Sequence, residues 1–270
     1  WESLIREVQD HDPGVIFLAE AFTRPPMMHM LAKAGFTQSY TYFTWRNFKH
    51  ELEAYFDELT GEPARQYMRP NLFPATPDIL PEFLQKGGRP AFMIRAVLAA
   101  TLAPTWGCYN GFELCENAAV PGTEEYLDSE KYQIRVRDWD APGNIKPLIR
   151  TLNDIRRAHP ALQELENLSF EYCDEDRVLF FRKDTPGGRE TLFVAVTLDP
   201  FDAHTATLHF PLEAMGVAPG GGYEVEDLLT GTRHLWRGSA QTVALDPEET
   251  PAVIYRVTPW KQVDYRSPCD

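Results

Sequence analysis

The chain has 270 residues, of which 43% are hydrophobic and 24% charged, a composition typical of a globular protein with room for one large domain or two. Its 40 acidic residues outnumber its 26 basic residues, and the formal net charge is −14. No basic block stands out, which disfavours nucleic acid and anionic membranes as partners, because both require clustered Lys and Arg. No apolar run reaches the roughly 18 residues that a membrane-spanning helix needs.

The spacing of the cysteines and histidines indicates the cellular compartment and the cofactors to expect, and the first residue indicates whether the chain is complete. The four cysteines have neither metal-ligand nor Cys-x-x-Cys spacing, so reduced thiols in the cytoplasm are the simplest interpretation. The seven histidines are scattered and no acidic cluster has the spacing of a calcium loop, so neither a metal nor an organic cofactor is predicted. The chain begins with Trp1, within a predicted helix, which indicates a fragment of a longer protein.

The first part of the chain alternates between strand-like and helix-like segments. Residues 15–25 begin with a short apolar run that lacks polar alternation, which is typical of a parallel strand buried on both faces. Further strand-like segments are 38–45, 71–78 (the exit of a strand) and 104–114, and helices are predicted at 26–34, 46–59, 81–86, 90–102 and 147–159. This alternation predicts a parallel sheet with crossover helices, and its four units make half of a (β/α)8 barrel.

The second part of the chain has a different pattern. Short strand-like runs, separated by turns rich in Gly and Pro, lie at 178–183, 191–198, 205–210, 223–228, 241–245 and 252–257. Regular short strands of this kind indicate an antiparallel β-sandwich. We therefore divide the chain into a half barrel at 1–165, a sandwich at 166–258 and a tail at 259–270.

Glu20 is the first candidate for a catalytic group. It stands at the carboxyl end of the predicted strand within 15–25, and in a β/α barrel this end faces the mouth of the active site. The alternative is a loop carboxylate that caps the helix beginning near Pro25. The residues around Glu20 leave both interpretations open.

Five unusual segments in the expected order carry a resemblance to a known family. They are FLAEAFTRP at 17–25, QSYTYFTWRN at 38–47, TPDIL at 76–80, GGRPAF at 87–92 and EEYLDSEKY at 124–132. Together they resemble the α-1,4-glucan:maltose-1-phosphate maltosyltransferases of the α-amylase superfamily, over residues 1 to about 258. The resemblance implies transfer of a maltosyl unit from α-maltose 1-phosphate to the 4-hydroxyl of an α-1,4-glucan, with retention of configuration. It also implies a homodimer for the full-length enzyme.

The resemblance assigns roles to two acids of this chain. Retaining chemistry uses two carboxyl groups about 5–5.5 Å apart, one as nucleophile and one as acid/base. Glu20 matches the acid/base, and Asp78 matches the aspartate that holds sugar hydroxyls and stabilises the transition state. The family's nucleophilic aspartate precedes the position of Trp1, so we expect this chain alone to lack it and to be inactive. Pro77 agrees with the family, whereas Ala75 stands where the family has Asn, which puts one polar contact in doubt.

Four more residues are candidates for binding sugar. Lys131 and Tyr132 resemble family residues that hydrogen-bond the second glucose of the maltosyl group, although a solvated charged loop is the simpler interpretation. Tyr40 and Trp45 offer aromatic surfaces on which sugar C–H faces stack, although a place in the core is the simpler interpretation for each.

Two other functions stay open at this point. One is a related hydrolase or a trehalose-forming isomerase of the same superfamily. The other is a non-catalytic, amylase-like binding domain. The presence of both Glu20 and Asp78 argues against the second of these.

Overall fold

The computed structural model describes residues 1–131, 133–218 and 220–260 of the chain. Its first part is a four-stranded parallel sheet with helices between the strands, and its second part consists of antiparallel sheets. The predicted fold class, half of a β/α barrel followed by an antiparallel β-sandwich, is confirmed.

The parallel sheet is built from four short strands that follow one another in sequence and in space. They are β1 (Leu18–Ala19), β2 (Gln38–Tyr40), β3 (Pro70–Leu72) and β4 (Thr105–Trp106). Leu18 pairs with Gln38 across the first two strands, and β1 and β4 are the two edges of this sheet. Because all four strands run in the same direction, the segments that follow them meet at one rim of the sheet.

Five α-helices accompany these strands. They are α1 (Glu2–His11), α2 (Pro25–Lys33), α3 (Lys49–Thr60), α4 (Glu82–Leu102) and α5 (Lys146–Ala158). Proline stands in the first turn of α2 and of α5, where the missing N–H costs nothing because the first N–H groups of a helix have no partner within it. No helix in the described ranges has both the length and the apolar character needed to cross a bilayer.

The predicted strands are longer than the observed ones. The strand predicted at 38–45 ends at Tyr40, and Tyr42–Trp45 form a 3₁₀ turn instead. The prediction was wrong there because the buried guanidinium of Arg95 donates hydrogen bonds of 2.5 and 2.6 Å to the carbonyls of Phe43 and Arg46. A turn brings these two carbonyls together, whereas a strand would separate them.

Helix α4 lies at the centre of the molecule. Gly88 has a φ of +54° and kinks the helix, so the predicted helices at 81–86 and 90–102 are its two arms. Every residue of the second arm, 90–102, is buried. This arm contacts β4 and α5 on the barrel side and a strand of the sandwich on the other side, which explains its almost continuous apolar sequence.

The sandwich has a six-stranded and a two-stranded antiparallel sheet. Its strands are β5 (Leu168–Phe170), β6 (Val178–Asp184), β7 (Thr191–Thr197), β8 (His204–His209), β9 (Gly222–Asp227), β10 (Arg233–Arg237), β11 (Ala240–Leu245) and β12 (Ala252–Pro259). The large sheet has the order β10-β9-β12-β7-β6-β5, and the small one pairs β11 with β8. The sequence pattern did not predict β5 and β10. Both are edge strands with little buried surface, so they lack the apolar signal on which the prediction rests.

The barrel part and the sandwich share one hydrophobic core, which contains residues of α4 together with residues of β6, β7 and β12. Two cations lie at the carboxyl end of α4, where the free carbonyls and the helix dipole favour positive charge. Lys183 is fully buried and donates hydrogen bonds to the carbonyls of Leu102 (3.4 Å) and Glu164 (2.5 Å). Arg156 donates to the carbonyls of Ala100, Ala103 and Pro104. Burial, with a smaller contribution from Arg156, lowers the pKa of Lys183 to about 7.

Candidate active site

Glu20 lies directly after β1 at the rim where the four parallel strands end. Its side chain is at the surface, but neighbouring groups cover part of it. Partial burial raises the pKa of the Glu20 carboxyl, and the negative charge of Asp78 raises it further. The structure therefore brings Asp78 close enough to Glu20 for its charge to act on the Glu20 carboxyl.

Asp78 lies in the tight turn that follows β3. The backbone groups of Thr76 and Ile79 pair across this turn at 3.0 and 3.2 Å, and the buried Thr76 hydroxyl accepts the N–H of Asp78 at 3.3 Å. The Asp78 side chain is 61% exposed and points outward, where Lys131 Nζ contacts it at 2.5 Å. Lys131 also lies 3.8 Å from Glu125. The sequence-predicted residues Asp78 and Lys131 are thus direct neighbours.

Tyr40 and Trp45, the two predicted aromatic residues, belong to one cluster beside Glu20. Tyr40 stacks on Phe73 with a ring separation of 4.4 Å and an interplanar angle of 26°. The Phe22 ring meets the rings of Tyr40 and Trp45 edge-on, at 5.8 and 5.3 Å. Burial raises the pKa of the Tyr40 hydroxyl and the charge of Glu20 raises it further, which puts this cluster next to the acid.

A glycine makes room for the cluster. Gly107 follows β4 and donates its N–H to the carbonyl of Leu72 at 2.9 Å. A Cβ at position 107 would lie 1.9 Å from Cζ of Phe73, far inside contact distance. Because Gly107 has no side chain, the Phe73 ring can occupy this space, and it stacks on Tyr40 there.

A long loop between β4 and α5 brings further polar groups to the rim. Trp45 Nε1 donates to both carboxylate oxygens of Glu124, at 3.1 and 3.0 Å. Arg137, whose side chain is only 5% exposed, fastens the loop through Glu116 (3.1 Å) and Glu130 (2.5 Å). The hydrogen bond from Arg137 lowers the pKa of the Glu130 carboxyl. A largely buried arginine held by two carboxylates gives the loop one defined position.

Sequence reasoning missed several residues of this region, namely Phe22, Phe73, Gly107, Glu124 and Arg137. Phe22 and Glu124 lie inside segments that carried the resemblance, but nothing in their spacing marks them as partners of residues far away in the chain. Tyr132, a predicted sugar-binding residue, lies outside the described residues. Across the described ranges there is no group of three or more His, Cys, Asp or Glu side chains able to hold a metal ion.

The site can perform acid/base and electrostatic chemistry. Glu20 has a raised proton affinity and can accept or donate a proton, whereas Asp78 sits opposite a cation and can hold hydroxyl groups. The aromatic cluster of Phe22, Tyr40, Trp45 and Phe73 lies beside Glu20. The aromatic faces suit the apolar C–H faces of a hydroxyl-rich ligand.

The comparisons of this sequence with a family model and with curated proteins agree with each other. Residues 170–257 match the family model described as GLGE, C-terminal. The α-1,4-glucan:maltose-1-phosphate maltosyltransferase of Rhodospirillum rubrum is 55% identical over 259 residues, which are 96% of this chain and 38% of that protein. The enzyme of the same name from Myxococcus xanthus is 52% identical over 264 residues, 98% of this chain and 40% of that protein. The chain spans about two fifths of the length of these curated relatives.

Solved structures give the fold. An α-amylase from Geobacillus thermoleovorans, complexed with acarbose, aligns with a TM-score of 0.70 at 14% identity, covering 95% of this chain and 56% of that one. A γ-CGTase from alkalophilic Bacillus clarkii aligns with a TM-score of 0.67 at 16% identity, covering 94% of this chain and 38% of that one. On this shared fold, and along nearly its whole length, the chain is homologous to the α-1,4-glucan:maltose-1-phosphate maltosyltransferases, as its sequence motifs predicted.

Proposed function

We propose that this chain forms the carboxyl-terminal part of a maltosyltransferase, which moves a maltosyl unit from α-maltose 1-phosphate to the 4-hydroxyl of an α-1,4-glucan with retention of configuration. The observation that carries the proposal is the electrostatic coupling of Glu20 and Asp78 at one rim of the parallel sheet. Sequence identity above 50% to maltosyltransferases, over nearly the whole chain, supports the choice of reaction.

The first half of the reaction forms a glycosyl–enzyme intermediate. A carboxylate nucleophile attacks the anomeric carbon of the maltosyl group, and the bond to phosphate breaks with its electron pair on the phosphate oxygen. Phosphate has a second pKa near 6, so it departs with little help from a general acid. On this proposal the nucleophile belongs to the barrel strand that precedes Trp1 in the complete enzyme.

The second half is where Glu20 acts as a base. Its carboxylate takes the proton from the 4-hydroxyl of the acceptor glucan, the oxygen forms a bond to the anomeric carbon, and the bond to the nucleophile breaks. The raised pKa of Glu20 suits this role, because a base is most effective when its pKa approaches the working pH. Asp78 holds hydroxyls of the reacting ring and stabilises the positive charge that develops on it.

The remaining predicted residues hold the sugar. Lys131 and Tyr132 hydrogen-bond the second glucose of the maltosyl group. The contact of Lys131 with Asp78 places these two binding groups side by side. Trp45 and Tyr40 border the path of the acceptor, with Tyr40 also supporting the cluster through its stack on Phe73. We assign 1–165 to the barrel and 166–258 to the sandwich; of the predicted tail at 259–270, residues 261–270 lie outside the described residues. We propose a cytoplasmic homodimer for the complete enzyme.

The test uses the enzyme with a complete barrel, supplied with α-maltose 1-phosphate and glycogen. We expect phosphate release and glucan extension in equal amounts, and both should fall by about 10²-fold or more in Glu20→Gln and Asp78→Asn. Tyr172→Ala, an exposed aromatic residue on the sandwich, is the matched control and should keep full activity. Phosphate release without extension would identify a hydrolase, and no release at all would leave a binding domain; either result would contradict the proposal.

A further inference from the structure

Two neighbouring cavities lie between the barrel part and the sandwich, apart from the rim that holds Glu20. Their volumes are about 600 and 350 Å³. They share the lining residues Asn47, Phe48, Phe83, Leu198, Pro200 and Phe201. We call the two cavities together the junction groove. Because they share a wall, they form one continuous groove long enough for an extended ligand.

The junction groove shares a side chain, Trp45, with the aromatic cluster beside Glu20. Its smaller cavity is lined by Trp45 and Glu124, which hydrogen-bond to each other at 3.0 and 3.1 Å. The Trp45 ring contacts Phe22, which contacts Tyr40, and Tyr40 lies beside Glu20. The groove and the rim that holds Glu20 therefore adjoin through these three rings.

Two aromatic rings in the groove face solvent. Phe48 is 64% exposed and Phe201 is 68% exposed, which is unusual for phenylalanine in a folded protein. Each ring is held by a fixed turn rather than a mobile one. The N–H groups of Asn47 and Phe48 donate to the Glu51 carboxylate at 3.2 and 3.3 Å, and the N–H of Phe201 donates to Asp199 at 2.9 Å.

The two sides of the groove are fixed to each other. Pro200, from the loop between β7 and β8, packs on the first arm of α4, where a Cβ at Gly87 would lie 2.8 Å from the Pro200 ring. Lys49 Nζ, at the start of α3, reaches Cys173 of the sandwich at 3.2 Å. The groove is therefore preformed, which lowers the entropy cost of binding.

The charged side chains of the groove select the kind of ligand. Five carboxylates (Glu53, Glu82, Glu124, Asp176 and Asp199) outnumber three cations (Lys49, Lys86 and Arg177). Some of them pair with each other, Lys86 with Glu82 at 2.5 Å and Arg177 with Asp199 at 3.5 Å. A groove without net positive charge does not attract polyanions. Exposed rings between carboxylates and cations suit a neutral polymer with apolar C–H faces and many hydroxyls.

We propose that the junction groove binds the α-1,4-glucan acceptor chain beyond the reacting end, with Phe48 and Phe201 as stacking surfaces for its glucose units. This inference rests on the proposed function and adds a second binding region for the polymer. A short acceptor that occupies only the rim does not reach the groove. The groove therefore gives the enzyme a preference for long chains over short ones.

The experiment compares a long and a short acceptor in the enzyme with a complete barrel. Phe48→Ala, Phe201→Ala and the double variant are assayed with glycogen and with maltotriose. An aromatic contact contributes about a two- to tenfold effect on binding, so the KM for glycogen should rise by about tenfold in the double variant. The kcat with either acceptor and the KM for maltotriose should not change, and Phe201→Tyr should retain the KM of the wild type.

Controls separate the possible failures. Tyr172→Ala removes an equally exposed ring outside the groove and should leave both KM values unchanged. An unchanged KM for glycogen in the double variant would overturn the inference, as would equal increases for both acceptors, since these would indicate a change at the rim or in the fold. Affinity electrophoresis in a glycogen gel, which needs no catalysis, should show weaker retention of the double variant. If the wild type transfers to neither acceptor, it is the proposed function that fails.

Discussion

Replacing Gly107 by alanine should damage the candidate site through the Phe73 ring. The added Cβ would lie 1.9 Å from Cζ of Phe73 and 2.2 Å from Cε1 and Cε2. Carbon atoms in contact are about 3.5–4.0 Å apart, so the ring must move by roughly 1.5–2 Å. Phe73 stacks on Tyr40 at 4.4 Å, and Tyr40 lies beside Glu20, so the displacement reaches the proposed acid/base.

The size of the effect follows from this geometry. Overpacking of this kind costs about 1–3 kcal/mol in stability, and a misplacement of about 1 Å near reacting groups can cost on the order of 10²-fold in rate. We therefore expect kcat/KM for maltosyl transfer to fall by about 10- to 100-fold in Gly107→Ala. The assay is the initial rate of phosphate release from α-maltose 1-phosphate in the enzyme with a complete barrel.

Two further variants test the reason for this loss. At Gly222 in β9 an added Cβ would have its nearest neighbours at 3.4 Å, an ordinary contact, so Gly222→Ala should keep nearly full activity. Combining Gly107→Ala with Phe73→Leu removes the clashing ring atoms and should recover part of the activity. Wild-type kcat/KM in Gly107→Ala, or an equal loss in Gly222→Ala, would refute the reasoning.

Three more predictions concern pH and association. Burial raises the pKa of Glu20 above its ordinary value, and the charge of Asp78 raises it further, so the acid limb of the residual activity should move to lower pH in Asp78→Asn. An unmoved limb would show that the two acids are not coupled. Burial lowers the pKa of Lys183 from 10.5 to about 7. Between pH 7 and 10.5 the unfolded chain therefore binds more protons than the folded chain, so the free energy of unfolding rises with pH, by at most roughly 5 kcal/mol. Urea unfolding at pH 7 and 9 should show this rise in the wild type but not in Lys183→Met, and parallel curves would contradict it. The 270-residue chain alone should associate through its exposed β1 edge, where Leu18 is 47% exposed, and sedimentation velocity should show less association for Leu18→Lys; a monomeric wild type would disprove this.

Local sequence patterns predict most elements of the fold. The alternation of apolar runs with amphipathic segments reflects burial, and burial is what the β/α units and the sandwich strands share. The break between the two arms of α4 was also visible, because Gly87-Gly88 and Pro90 interrupt a helix in any context. The prediction fails where the local structure depends on a residue far away in the chain. The 42–45 segment forms a turn instead of a strand because Arg95 hydrogen-bonds the carbonyls of Phe43 and Arg46, which are 52 and 49 residues away in sequence.

The candidate site divides in the same way. Glu20 ends a predicted strand, so the geometry of parallel strands predicts its place at the rim, whereas the family resemblance singled out Asp78. Phe73 and Gly107 could not be found by this reasoning, because their relation is a steric fit between two loops. The pairing of Trp45 with Glu124 depends on the path of the long loop between β4 and α5. Arg137 holds this loop through ion pairs with Glu116 and Glu130, and a short sequence motif does not predict such pairs.

The burial of α4 on both sides constrains how the parts of such enzymes can be exchanged. A sandwich taken from another relative would meet the apolar face of a helix that belongs to the barrel, and each ill-fitting side chain would leave a void or a clash. Its counterpart of Lys183 would also have to reach the end of that helix. A workable chimera therefore inherits α4, α5 and the sandwich from one parent and is joined upstream of residue 81.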